Sequence, residues 1–355
     1  MISFTPQLPA EFSPGVRHED PHRTTASAIP CAALACLAII AGLAHAQPVP
    51  GKPVSFPLKP VRILVGNAPG GANDFIARLV GQKLHEAWAQ PVIIDNRSGG
   101  SGVIAMELAA RAVADGHTLL VSNSQMSANM LLGKVPFDIR KVYIHVVQLT
   151  TQMYVVAVNI SLPVNSVKEL IAYSKSKVNA ISYGTPGTGS PAHLGIEQFK
   201  LMTGASMLHV PYKGNGPAMI DLISGQIQLV FGSSVSVMPQ ARGGKLRALA
   251  VTGPRRAPLL PDLPTVAEAG TPGYALTNAY GFFVPAGTPA AIVDMINQQS
   301  NAVIAAREFK ARLEADGVEA AAPNTPSDYR GAVQRDITEL EKFFKTPGIV
   351  PETFK

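Results

Sequence analysis

The sequence predicts an α/β protein of two lobes, each an open, mostly parallel sheet flanked by helices, with a hinge crossed twice. Three observations predict it. From Val61 onward, short β-branched or apolar runs alternate with helical periodicities, the rhythm of repeated βαβ units. Five loops of small residues each follow such a run. Two further apolar runs, Met153–Val158 and Ala279–Val284, stand where a chain would leave one sheet and later return to it. A length of 355 residues exceeds one ordinary core and suits two cores of about 150 residues each. The expected division is a signal peptide over 1–46, a discontinuous lobe 1 over 47–152 and 278–355, and lobe 2 over 153–277.

The chain opens on an export signal. Cys31–Ala44 (CAALACLAIIAGLA) is apolar throughout and ends at Ala44-His45-Ala46. That is an h-region before a small-x-small cleavage site, too short to span a membrane. The thirty residues before it are long for a signal, and Glu11, Glu19 and Asp20 offset Arg17 and Arg23. A start codon assigned too early would account for both. Ala33-Leu34-Ala35 is a poor lipoprotein box for Cys36, so cleavage after Ala46 is expected. It removes Cys31 and Cys36, the only two cysteines. The exported protein then depends on its apolar cores alone.

After the Pro-rich stretch Gln47–Lys59, Val61–Val65 reads as a strand. Phe75, Ile76, Leu79, Val80 and Leu84 recur at helical spacing. Val92–Ile94 is a strand, Val103–Ala114 a helix and Thr118–Val121 a strand. The second set begins with Met153–Val158, followed by a helix over Val167–Ser176 and a strand over Ile181–Tyr183. A helix near Ala192–Met202 and a strand over Ser206–Val210 follow. The next helix is opened by Pro217 and closed by Gly225, the usual asymmetry of helix ends. Ile227–Phe231 and Leu246–Val251 are strands, and Ala279–Val284 is the return crossing. Ala286-Gly287-Thr288-Pro289 then opens a long helical region.

The five loops carry the functional signal. They are Ala68–Asp74, Ser122–Gln125, Gly184–Ser190, Lys213–Gly216 and Gly232–Ser234. Bare amides at helix starts attract small anions through unpaired N–H groups and the helix dipole. Loops at strand carboxyl ends in two sheets place a site in the crevice between them. The net charge of +6 favours an anionic ligand in a general way. No Lys/Arg run with interleaved aromatics is present, which argues against nucleic acid.

Catalytic and cofactor patterns fail one by one. Gly184 and Gly189 have P-loop spacing, but Ser190-Pro191 stands where Lys-Ser/Thr is needed. No dinucleotide fingerprint and no Gly-x-Ser-x-Gly elbow occurs. His193 and Glu197 share a helix face, yet a metal would need two more ligands. No metal or other cofactor is expected. Asp74 suits a helix start as well as a ligand contact, and His209 and Lys213 read as structural or solvated. An exported enzyme acting on a small carboxylate would have only Ser190 with His193 as nucleophile and base. A sensor-interaction protein without a transport role is the remaining alternative.

Several segments together resemble one family. Pro69-Gly70-Gly71-Ala72-Asn73-Asp74 with Ala77-Arg78 resembles the first-loop motif of Bug-type receptors of tripartite tricarboxylate transporters. Asp95–Gly102, Asp115–Leu120, Tyr183–Ser190 with His193-Leu194, and His209–Gly214 are similar to further family segments. So are Gly244–Thr252, Leu260–Gly270 and Pro285–Pro289. The resemblance implies a type II periplasmic binding protein, a Venus flytrap that closes on a small organic carboxylate. Its implied partners are membrane permease subunits or a sensor kinase, and it implies a monomer. The implied ligand contacts begin with Asn67, Ala68, Pro69, Gly70, Gly71, Ala72 and Asp74, followed by Ser122 and Ser124. The second lobe would add Thr185, Gly187, Thr188, Gly189, Ser190 and His193, with the turn Gly232, Ser233, Ser234. Two departures stand out. Asn67 replaces an apolar wall with a side chain that both donates and accepts hydrogen bonds, and Tyr280 stands where Trp is common.

Overall fold

The computed structural model describes residues 55–177, 180–258, 260–315 and 317–354, so the expected export signal lies outside the described residues. The first elements are β1 (Val61–Val65), α1 (Ala72–Trp88), β2 (Val92–Asn96), α2 (Val103–Ala110) and β3 (Thr118–Ser122). Next come α3 (Gln125–Leu131), α4 (Ile139–Val142), β4 (Tyr143–Asn159), α5 (Val167–Ser176) and β5 (Ser182–Thr185). The middle of the chain forms α6 (Pro191–Thr203), β6 (Leu208–Pro211), α7 (Asn215–Ser224), β7 (Leu229–Ser233), α8 (Ser234–Arg242) and β8 (Leu246–Val251). It ends with β9 (Thr277–Pro285), α9 (Ala290–Ala305), α10 (Arg307–Ala315), β10 (Val318–Ala320) and α11 (Pro326–Phe344).

In the first lobe β1 pairs in parallel with β2 and β3, with Val61 opposite Val92 and Arg62 opposite Thr118. In the second, β5 pairs in parallel with β6 and β7. One strand belongs to both sheets. From Tyr143 to Met153, β4 runs against β9; from Tyr154 onward it runs against β7 and β8. The result is a mixed sheet rather than a mostly parallel one, because β4 and β9 lie antiparallel to every strand they touch. Parallel pairing survives where βαβ crossovers join neighbouring strands.

Alternation along the strands builds the cores. Val61, Ile63 and Val65 face Ile76, Val80 and Leu84 of α1, while Leu64 turns to Met106 and Leu120. Along β4, Val156 and Val158 join Tyr183, Phe199 and Phe231, and Val155 and Ala157 join Leu222 and Val230 on the other face. Side chains of this size contribute about 1.5–3 kcal/mol each when fully buried.

Three features differ from the sequence expectation. β4 begins at Tyr143, ten residues before Met153, because pairing with β9 and β10 covers this polar stretch. The Gln148 backbone exchanges hydrogen bonds with the Asn324 amide, and Gln152 donates to Ser234 Oγ. α3, α4 and α8 occupy stretches to which the sequence pattern assigns no helix or strand. α7 starts at Asn215, two residues before Pro217, since a proline in a first helical turn loses no intrahelical bond.

His145 is a buried cost in β4. It is 1 % exposed, neither ring nitrogen has a hydrogen-bond partner, and it packs against Phe283 and Tyr329. Burial first, then Arg330, depresses its pKa to about 4. The unfolded chain therefore binds a proton below about 6.5 that the folded chain refuses until about 4. Stability from this group is complete above that window and falls as pH drops through it. H145L is expected to flatten the decline in melting temperature between those pH values without lowering it near neutrality. Parallel declines for both proteins would refute the assignment.

Candidate ligand-binding site

The loop after β1 is shaped by one carboxylate. Asp74, 5 % exposed, accepts from the Gly70 N–H at 3.2 Å and from Asn96 Nδ2 at 3.1 Å, and pairs with Arg78 at 2.9 Å. Burial raises its pKa, but the Arg78, Gly70 and Asn96 hydrogen bonds outweigh it and hold the carboxyl below its usual range. Gly70 sits at φ +89°, a left-handed conformation that favours glycine. Asn73 Nδ2 donates to Asn67 Oδ1 at 2.6 Å, which fixes both amides at the start of α1.

This loop forms one wall of a narrow cleft. Asn67, Gly71, Ala72 and Asn73 line that wall, with Asn123 and Gln125 beside them. Pro186, Pro191 and Asn215 come from the opposite lobe, and Tyr154 and Tyr280 from the crossing strands. The Tyr280 hydroxyl is hydrogen-bonded within the cluster of Tyr154, Asn278 and Asn123. Asn278 also donates to the Tyr154 hydroxyl at 3.1 Å and accepts from Ser124 Oγ at 2.9 Å.

None of these lining residues is charged. Helix ends take the place of charge. α1 and α7, of 17 and 10 residues, begin at Gly71 and Gly214 with no side-chain cap, and their first turns open on the cleft through Gly71, Ala72, Asn73 and Asn215. Uncapped first-turn N–H groups are anion donors. α6 also begins here, at Pro191. Two buried lining atoms have no hydrogen-bond partner, the donor Gln125 Nε2 and the acceptor Asn73 Oδ1. Behind Asn67, Asn73 and Gln125 the space continues into a recess bordered by Ser101, Ser122 and Asn129.

Of the residues expected at the site, Asn67, Gly71 and Ala72 line the cleft and Ser122 borders the recess. The others are outside these two linings, and Ser124 lines an adjoining pocket. Ala68 donates its N–H to Lys213 O at 2.9 Å. The Pro69 carbonyl abuts Gly216, and Gly70 O accepts from Ser236 Oγ at 3.0 Å. Thr185 Oγ1 is 2.7 Å from His209 Nε2. Thr188 O accepts from Lys134 Nζ at 2.8 Å, and Gly187 lies against Ser101. All of these contacts except the Thr185–His209 pair cross between the lobes and hold them together. Gly232 packs against Val237. Ser233 Oγ pairs with Ser236 Oγ, and Ser234 Oγ donates to Gly317 O.

Ser190 and His193 form a helix cap and not a nucleophile–base pair. Ser190 Oγ accepts from the His193 backbone N–H, and His193 Nδ1 accepts from the Gly189 N–H at 3.0 Å. The imidazole stacks on His209 at 3.7 Å. Burial first, then His209, Lys200 and Lys134, pushes its pKa down to about 2. The sequence reading missed Asn73, Asn123, Gln125, Tyr154, Pro186, Pro191 and Asn215. Asn123 and Gln125 sit in a loop it singled out, where Ser122 and Ser124 were preferred.

A family model described as the tripartite tricarboxylate transporter family receptor matches residues 76–346. The chain belongs to this receptor family. Its members bind solutes, so this chain is a receptor and not an enzyme. Rpa4515 of R. palustris, solved with adipate, is 35% identical, with a TM-score of 0.80 over 83% of this chain and 99% of that one. The periplasmic binding protein BugD is 29% identical, with a TM-score of 0.79 and coverage of 83% and 99%. MatC from Rhodopseudomonas palustris, solved with malate, is 28% identical, with a TM-score of 0.77 and coverage of 81% and 99%. These likenesses support the two-lobed flytrap fold and a periplasmic location for this receptor.

Proposed function

We propose that this receptor binds a small organic carboxylate in the cleft between its lobes and delivers it to a membrane permease. The observation that carries the reading is the convergence of the uncapped amino ends of α1 and α7 with the unpartnered Gln125 amide on an uncharged cleft. Fixed N–H dipoles at helix starts supply the complement to a carboxylate. The adipate and malate of Rpa4515 and MatC belong to the same chemical class. The ligand contacts of this reading are Asn67, Gly71, Ala72, Asn73, Asn123, Gln125, Tyr154, Asn215 and Tyr280.

In this reading lobe 1 comprises 47–152 and 278–355, and lobe 2 comprises 153–277. The change of β4 partners after Met153 and the start of β9 at Thr277 support that division. The mature chain starts at Gln47 after cleavage behind Ala46 and acts as a monomer, its ligand favouring the closed state by differential affinity.

Thermal unfolding of the ligand-stripped mature chain against mono-, di- and tricarboxylates and their neutral amides tests the proposal. A cognate acid at 100 times its dissociation constant adds about 2.7 kcal/mol, and its amide adds nothing comparable. A flat panel, or equal stabilisation by acid and amide, would overturn the carboxylate reading.

A further inference from the structure

A second, partly open pocket adjoins the cleft. It is bordered by α3, the start of β9 and α11, and Asn123 lines both spaces. Its one charged lining residue is the half-buried Asp336 on α11. That carboxylate forms no ion pair among the described residues, and its partner is the buried Ser127 hydroxyl. Burial lifts its pKa to about 6, with Ser127 pulling the other way. A half-buried carboxylate without a counter-charge gains from a nearby cation.

The rest of the lining suits a cation. Phe283 and Tyr329 stand in the wall, their ring centroids 5.3 Å apart, and aromatic faces attract organic cations more than hydrated metal ions. Ser124, Ser127, Thr277 and Asn278 add neutral oxygens. A metal ion would require more anionic ligands, and no group of three His, Cys, Asp or Glu able to hold one occurs among the described residues. We propose that this pocket is a second ligand site, one that takes a small primary ammonium ion against Asp336 with Phe283 and Tyr329 as its aromatic wall. The pocket shares Asn123 with the carboxylate cleft, and its test needs no carboxylate.

Saturation-transfer NMR of the mature chain with methylammonium, at about pH 8 where Asp336 is ionised, reads binding directly from the methyl signal. The wild type is expected to give a signal that excess sodium or calcium chloride at matched ionic strength does not displace. D336N is expected to lose it, with its far-UV spectrum unchanged. A332F, which fills the pocket from α11, is expected to lose it too and serves if D336N fails to fold. No signal in the wild type, equal signals in wild type and variants, or displacement by calcium would each overturn the proposal.

Discussion

Alanine at Gly216 is expected to weaken ligand binding by about 5- to 150-fold while leaving the unliganded protein as stable as before. A Cβ at this position would stand 2.7 Å from the Pro69 carbonyl oxygen. The obstacle is backbone from the opposite lobe, so no side-chain rotation relieves it. Overpacking of this kind costs about 1–3 kcal/mol, and here the cost falls on the closed arrangement alone. A differential penalty of that size corresponds to the stated range in affinity. Isothermal titration with a cognate acid measures the loss, and small-angle scattering reads the closed population. Unchanged affinity would show that the contact of Gly216 with Pro69 is not part of the ligand-bound state.

Replacing Gln125 with leucine separates binding from stability in the opposite way. Its Nε2 is buried beside the cleft without a partner, so the unliganded protein carries the desolvation cost of an idle donor. Hydrogen bonds to charged groups contribute about 1.5–3 kcal/mol, which sets an expected loss of roughly 10- to 150-fold in carboxylate affinity. The melting temperature of the free Q125L protein is expected to hold or rise, since an unpaired polar group has been removed. If affinity survives while stability drops, Gln125 is a packing residue and the ligand lies elsewhere.

The sequence reading reached the fold because helical and strand periods alternate cleanly from Val61 to Val121. It missed the first ten residues of β4 for a physical reason. His145, Gln148, Thr150, Thr151 and Gln152 break the apolar run, and their cover comes from β9, β10 and Asn324, far along the chain. The candidate site was legible as loops but only partly as residues. Asn67, Gly71 and Ala72, which line the proposed site, are legible because a glycine N-cap exposes backbone. The glycine- and serine-rich loops of the second lobe carry the same surface signal but serve a different need. Gly187 and Gly189 let backbone approach Ser101 and Lys134, and Thr185 and Ser190 hold their own loop together. No local pattern distinguishes a glycine that admits a ligand from one that admits another strand of the same chain. Tyr154 was hidden for a related reason, since an aromatic within an apolar strand reads as core until the partner strand shows which way it faces.

The absence of charged side chains from the cleft wall bears on how cargo is let go. An acid clamped by arginine must break an ion pair in a dry site before it can depart, and that step slows release. In the proposed carboxylate site the opposing charge is spread over peptide groups that belong to rigid helices. Parting of the lobes would carry α7 away from α1 and take part of that field with it. Grip and opening are thus one event: whatever pries the lobes apart also discharges the site.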